Sequence, residues 1–306
     1  MYRRKLLTAL LILLPVLGAC NQTSSKNTKD SDNPSFSGES KKEIVMGLIP
    51  IENNEETIEK FEPMRVYLEK RLERPVKVFT ATDYAGVIEA MKRDKVDIAW
   101  FGPLSYVLAE KEADAEAFAV GVRKSTGLST YKSIFVVPGN SEVKSIQDLK
   151  GKNVAFVDPA STSGSLVPTY LVKKATGKMP QEFFGNLSYA GGHDAAELAV
   201  KNKTVDAAAD NDITYNRMLK RGLISKETNR ILLESEPLPG LPLTYRRELD
   251  ESLKAKIRDS ILNAHKDIKV SGYGELERYD PVDPQDYQLI RDMVKELGLG
   301  RDEILK

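Results

Sequence analysis

Along most of this 306-residue chain, apolar runs of strand length alternate with segments of helical spacing, and the alternation starts over once. Residues 44–50, Ile-Val-Met-Gly-Leu-Ile-Pro, form the continuous apolar run expected of a strand buried on both faces. Ile58, Phe61, Met64, Val66, Leu68 and Leu72 then recur at helical spacing, residues 75–79 form a second strand, and residues 83–91 form a helix with Thr82 or Asp83 as N-cap. Residues 96–101 form a third strand. The beat resumes after residue 138, with strands at 154–157, 187–189 and 205–209 and helices at 164–176 and 194–200. The two halves share a pattern: Ala85 to Phe101 and Ala195 to Asp210 each run helix, basic polar turn, Val-Asp and a small-residue strand. This predicts an α/β class with mostly parallel sheets, built as two similar lobes.

Residues 131–137 and 231–237 read as two linking strands. We therefore expect lobe one at 43–135, lobe two at 136–236 and a return to lobe one over 237–306, with helices near 249–268 and 284–297. Two crossings between open α/β lobes leave a cleft at the C-terminal ends of the strands, where such sheets bind ligands.

The N-terminus reads as a targeting segment. Arg3, Arg4 and Lys5 precede an apolar stretch from Leu6 to Leu17, followed by Leu17-Gly18-Ala19-Cys20, which resembles a bacterial lipobox. We expect a signal peptide over 1–19, lipidation at Cys20, and a polar tether over 20–42 too poor in apolar residues to fold. Cys20 is the only cysteine, so no intramolecular disulfide is possible and the mature domain has no other thiol. The 45 basic and 45 acidic side chains balance, which argues against a nucleic-acid partner.

Asp158-Pro159-Ala160-Ser161-Thr162-Ser163-Gly164 lies where a strand hands over to a helix. The first N–H groups of a helix lack internal partners and carry partial positive charge, so this run can serve as a simple N-cap or hold a tetrahedral oxyanion. Tyr84, His193 after Gly191-Gly192, and the Asp210/Asp212 pair also follow strands and so face the expected cleft. The two carboxylates suggest acid/base or metal chemistry. With one candidate histidine and no cysteine beside them, the ligand set for a metal is incomplete, and we expect neither metal nor cofactor. A carboxylate there would instead accept a P–OH proton and repel a fully ionised anion. His265, on a charged helix, reads as a surface residue.

Together, residues 83–88, 96–106, 131–134, 148–152, 161–164 and 192–195 resemble the phosphate/phosphite/phosphonate-binding proteins that serve ABC transporters, over most of 44–306. The resemblance implies a two-lobed periplasmic-binding-protein fold of type II, with the ligand cleft between lobes joined by two linking strands. It also implies that Ser161, Thr162, Ser163, Tyr84, Tyr131 and His193 hold the oxyanion. Relatives that bind aminoalkylphosphonates use acids for the amine. The nearest candidates here are Asp210 and Asp212, while a second acid, usual in a Pro-Asn-Asp-Pro-like stretch, is replaced in Pro239-Gly240-Leu241-Pro242 by Leu241. A buried ammonium lacking its carboxylate is costly, so the expected ligand is small and has no amine: phosphite or methylphosphonate. The implied protein is a lipid-anchored, extracytoplasmic monomer that closes on its ligand and delivers it to a membrane permease. A sensor module for a membrane kinase, and a hydrolase with Ser161 or Ser163 as nucleophile and His193 as base, are the competing readings; we expect no enzyme.

Overall fold

The computed structural model describes residues 42–270 and 272–305. The expected signal peptide, Cys20 and the tether as far as Lys41 lie outside the described residues. Among the described residues no helix is long and apolar enough to cross a membrane.

The strands in chain order are β1 (Ile44–Leu48), β2 (Val76–Thr80), β3 (Ile98–Trp100), β4 (Ala115–Arg123), β5 (Ser133–Pro138), β6 (Asn153–Phe156), β7 (Asn186–Tyr189), β8 (Ala207–Asn211), β9 (Asn229–Glu234), β10 (Pro242–Arg246) and β11 (Leu276–Pro281). The helices are α1 (Asn54–Leu72), α2 (Tyr84–Lys92), α3 (Pro103–Ala113), α4 (Val167–Thr176), α5 (Pro180–Phe183), α6 (His193–Lys201), α7 (Asp212–Lys220), α8 (Glu251–Asn263), α9 (Gln288–Leu297) and α10 (Arg301–Ile304). A six-stranded sheet runs β11-β4-β10-β3-β1-β2, and a five-stranded sheet runs β7-β6-β8-β5-β9.

At the centre of the first sheet, β1 pairs in parallel with β2 and β3. Gly47 is required there because a Cβ would come within 2.8 Å of Val96 and 2.9 Å of Val87. Helix α1 covers this sheet with Phe61, Met64, Leu68 and Leu72, while Ile58 and Val66, apolar at helical spacing, face outward. Of the two cap candidates before α2 the structure uses Asp83, which accepts the Gly86 N–H at 2.7 Å.

The expectation of mostly parallel sheets is corrected. Only β1–β2, β1–β3, β6–β7 and β6–β8 are parallel, whereas β10–β3, β10–β4, β11–β4, β5–β8 and β5–β9 are antiparallel. The cause is the crossings. The returning chain inserts β10 between β3 and β4 and lays β11 on the outer side of β4, three strands that the periodic reading overlooked. The outgoing chain, as β5, runs against β8.

In the second sheet, alternate residues serve opposite faces. Phe135 and Val137 pack with Phe156, Ala207 and Ala209 on one face. Ile134 and Val136 pack with Ala196, Val200 and Ala208 on the other. Where the two crossing segments run side by side, Tyr131 and Leu238 exchange backbone hydrogen bonds of 3.2 and 2.8 Å. Ser133 donates its N–H to Ser235 Oγ at 3.0 Å.

Candidate anion site between the sheets

A cavity lies between the strand ends of the two sheets, lined by Ile49, Ile51, Tyr84, Gly102, Tyr131, Ser161, Thr162, Ser163, His193, Asn211, Leu241 and Tyr273. The cavity is small and suits a guest of only a few non-hydrogen atoms. No lysine, arginine, aspartate or glutamate lines it.

Positive potential there comes from the backbone. Five lining residues are the first residues or caps of helical segments: Tyr84 opens α2, Gly102 caps α3, Ser161 caps the turn leading into α4, His193 opens α6 and Asn211 caps α7. Helix beginnings expose unpaired N–H groups and the positive end of the macrodipole, so their convergence favours an anion without a cationic side chain.

The hydroxyl run adopts a form that its sequence did not announce. Residues Thr162–Leu166 make a π-helical turn, and the α-helix begins only at Val167. Ser161 Oγ accepts the Gly164 N–H at 3.0 Å, and Ser133 donates its hydroxyl to the Ser163 carbonyl at 2.7 Å. Tyr84 and Tyr131 share the cavity wall with this run, Tyr84 beside Ser161 and Tyr131 beside Thr162 and Ser163. Burial pushes both phenols well above their ordinary range, so both remain neutral donors.

Three contacts cross from one side of the cavity to the other. Thr162 Oγ1 accepts the Leu104 N–H at 2.8 Å, completing the first turn of α3. Asp158 Oδ2 accepts the Tyr84 N–H at 3.3 Å in the first turn of α2. The His193 N–H donates to the Ile51 carbonyl at 2.9 Å. Side chains of α7 and its cap Arg221 add ion pairs: Arg217 with Glu52, Lys220 with Glu275 at 2.7 Å, and Arg221 with Glu56 at 2.9 Å. Glu52 also holds Lys60. These cross-cavity contacts describe a closed cleft.

Six of the eight residues expected to bind ligand, namely Tyr84, Tyr131, Ser161, Thr162, Ser163 and His193, line this cavity together. Asp210 and Asp212 do not. Asp210 shares the face of β8 with Ala208, beneath α6, and meets His193 Nδ1 from behind at 2.6 Å. Asp212 pairs with Arg123 at 2.6 Å and accepts the Lys132 N–H at 2.9 Å. Asn211, between them, reaches the cavity instead; its Oδ1 accepts the Thr214 N–H at 2.8 Å. Sequence reading also missed Tyr273, whose hydroxyl meets Thr214 Oγ1 at 3.1 Å and whose ring lies 5.9 Å from the Arg217 guanidinium. Nothing local marks Tyr273, which arrives from the C-terminal return of the chain.

His193 is fully enclosed. Burial pushes its pKa below the ordinary value, with the nearby Arg217 charge adding to the effect, so the ring is neutral at neutral pH. Its Nδ1 is engaged by Asp210, which leaves Nε2 as the nitrogen available to the cavity that the ring lines.

Comparison with known proteins places this geometry in a family. Residues 46–287 match the family described as "ABC transporter, phosphonate, periplasmic substrate-binding protein". The chain is 33% identical to the phosphonates-binding periplasmic protein of Escherichia coli over 235 residues, 76% of this chain and 69% of that protein. It is also 33% identical to the phosphate-import protein PhnD of Mycolicibacterium smegmatis over 190 residues, 60% of this chain and 58% of that protein. Among solved structures, the binding-protein component of an ABC phosphonate transporter from Pseudomonas aeruginosa superposes with a TM-score of 0.75 at 28% identity, covering 86% of this chain and 92% of that one. The chain belongs to the periplasmic substrate-binding proteins of phosphonate ABC transporters.

Proposed function

We propose that the closed cavity holds a small phosphorus oxyanion without an amine, phosphite or methylphosphonate, for delivery to a membrane permease. The observation that carries this reading is the lining itself: hydroxyls, two neutral phenols and converging helix beginnings, with no carboxylate to pair an ammonium. Leu241 stands in the wall and is 9% exposed. An amine-bearing phosphonate would leave its charge unpaired among apolar groups, which costs several kcal/mol.

Ser161, Thr162 and Ser163 embrace the oxygens, the phenols of Tyr84 and Tyr131 donate from the other side, and His193 meets one oxygen through Nε2. Each hydrogen bond to the charged guest is worth about 1.5–3 kcal/mol. Asp210 and Asp212 leave the ligand set and act behind it. The arrangement also disfavours a hydrolase. Asp210 orients His193 as the acid of a triad would, but Ser161 Oγ accepts the Gly164 N–H and among the described residues no hydrogen bond joins His193 to Ser161 or Ser163, so no serine is activated.

Titration calorimetry of residues 43–306 against phosphite, methylphosphonate, 2-aminoethylphosphonate, phosphate and sulfate tests the reading. Tight binding of phosphite or methylphosphonate is expected, with the amine ligand weaker by about 100-fold or more. A preference for 2-aminoethylphosphonate, phosphate or sulfate would overturn the ligand assignment.

The lipid anchor is the second part of the proposal. Cleavage before Cys20 and lipidation of that cysteine would tether the domain to the extracytoplasmic face of the membrane. Cys20→Ser is then expected to move the protein from the membrane fraction to the soluble fraction with ligand affinity unchanged. Retention in the membrane fraction would dismiss the anchor.

A further inference from the structure

Behind His193, on the side away from the cavity, two fully buried acids face each other. Glu197 on α6 and Asp210 on β8 are each 0% exposed. Their surroundings account for all but one oxygen on each. Asn229 Nδ2 donates to Glu197 Oε2 at 2.6 Å, and Asp210 Oδ1 takes His193 Nδ1 at 2.6 Å and Asn211 Nδ2 at 3.3 Å. Glu197 Oε1 and Asp210 Oδ2 are buried and reached by no N–H or hydroxyl donor. Glu197 lies one turn along α6 from His193, the residue that Asp210 contacts, so the two orphan oxygens belong to one stretch of buried interior. Two donor-less carboxyl oxygens in such a place satisfy each other only if one of them carries a proton.

We propose that Glu197 and Asp210 form a proton-sharing carboxyl pair, and that the single shared proton keeps the cavity able to accept an anion. This rests on the assignment of the cavity as the anion site.

The pair sits one imidazole away from the cavity. With one proton it carries one negative charge, which the His193 Nδ1–H and Asn211 partly satisfy. His193 then presents the Nε2 lone pair to the guest. A monoprotonated oxyanion can donate its P–OH there, whereas a fully ionised one cannot. Losing the shared proton would place a second negative charge in the dry wall behind an anion, where repulsion is poorly screened.

The other charged and titratable groups around the pair are few. Arg217 from α7 draws the Asp210 pKa down, Asp194 from α6 raises it, and Glu52, after β1, acts on His193. The Tyr215 phenol from α7 also faces Glu197. Burial pushes both acids up, and each is coupled to the other, so they titrate as a unit that holds one proton well above the ordinary carboxylate range.

The sign follows from linkage. An anion in the cavity raises the affinity of the pair for its proton, so binding is strongest while the pair is protonated. Binding weakens as pH rises through the apparent pKa of the ligand-free pair, by up to about tenfold per pH unit. Glu197→Gln mimics the protonated acid. Its carbonyl can accept from Asn229 and its amide can donate to Asp210, permanently.

The test is titration calorimetry with phosphite and with methylphosphonate from pH 6 to 9.5, in the wild type and in Glu197→Gln. The ratio of the two Kd values at each pH cancels the ligand's own ionisation. The wild-type to variant Kd ratio is expected to be near one at pH 6 and to rise at least tenfold by pH 9.5. A constant ratio, with both proteins binding, would overturn the inference alone. No binding of either probe by the wild type at any pH would overturn the assignment of the cavity on which it rests. Melting temperatures recorded alongside give a readout independent of ligand. A group whose pKa is raised by folding loses stability as pH rises towards its folded value, so the wild type should lose Tm across this range relative to the variant. Parallel Tm curves would refute the shared proton.

Discussion

Glu52→Ala is expected to weaken oxyanion binding about 100-fold. Glu52 follows β1 and its side chain is 4% exposed; it pairs with Arg217 from α7 and with Lys60 from α1. The Arg217 side chain is 18% exposed, and its Nε and Nη1 are buried without partners. Removing Glu52 leaves that guanidinium in the closed interface without its ion-pair partner, beside the Tyr273 ring. Orphaning one member of a fully buried pair costs about 3–5 kcal/mol, and partial solvation of Arg217 lowers this to about 2–3. That free energy falls on the closed form, because Glu52 and Arg217 come from opposite sides of the cavity. A site whose competent state is depopulated loses apparent affinity by the same factor. The more exposed pairs, Arg221–Glu56 and Lys220–Glu275, are worth little by comparison. Calorimetry of Glu52→Ala beside the double variant Glu52→Ala/Arg217→Met checks this. The double variant has no orphan guanidinium, and Lys60, 30% exposed, is left to solvent, so it should bind better than the single. Wild-type affinity in Glu52→Ala, or a double variant no better than the single, would reject the clasp.

Gly164→Ala should be still more damaging to the site. A Cβ at this position would lie 2.4 Å from Val157 Cβ and 3.0 Å from Ser161 Oγ. Val157 is fully buried and β-branched, so it cannot swing aside. The π-helical turn must move instead, carrying Ser161, Thr162 and Ser163 with it and stretching the Gly164 N–H bond to Ser161. Overpacking of this kind destabilises by about 1–3 kcal/mol. A shift of about 1 Å in three donors is enough to lose affinity by two orders of magnitude or more. Melting and calorimetry together separate the two effects: a folded variant with a modestly lowered Tm and binding reduced at least 100-fold is the expected result. Unchanged affinity would remove the turn from the ligand site.

Much of the fold was legible because its signals are local. The apolar run at residues 44–50, the helix from Asp83 and the Val-Asp strand of each half state their own conformation, and their order implies an α/β chain with two lobes. The strands β4, β10 and β11 were not legible. They pair antiparallel across crossings of the chain, and no periodicity of their own distinguishes them from neighbouring segments. The lining residues were found where they directly follow strands or open helices, as Tyr84, Ser161 and His193 do. Tyr273 was missed because it reaches the cavity from a loop on the C-terminal return of the chain, where no strand end or helix start marks it.

The sequence by itself therefore determined the locally patterned elements, the hydroxyl run before α4 and the absence of cationic chemistry from that run, since these depend on residue type and short spacing. Only the tertiary structure decided that neither Asp210 nor Asp212 lines the cavity. Asp210, Asn211 and Asp212 are consecutive, and a strand turns successive side chains to opposite faces. The end of β8 sends Asp210 back toward Glu197, Asn211 into the cavity and Asp212 to Arg123. That outcome depends on the register of one strand against two others and on where α6 packs. Neither is written in any short stretch of sequence.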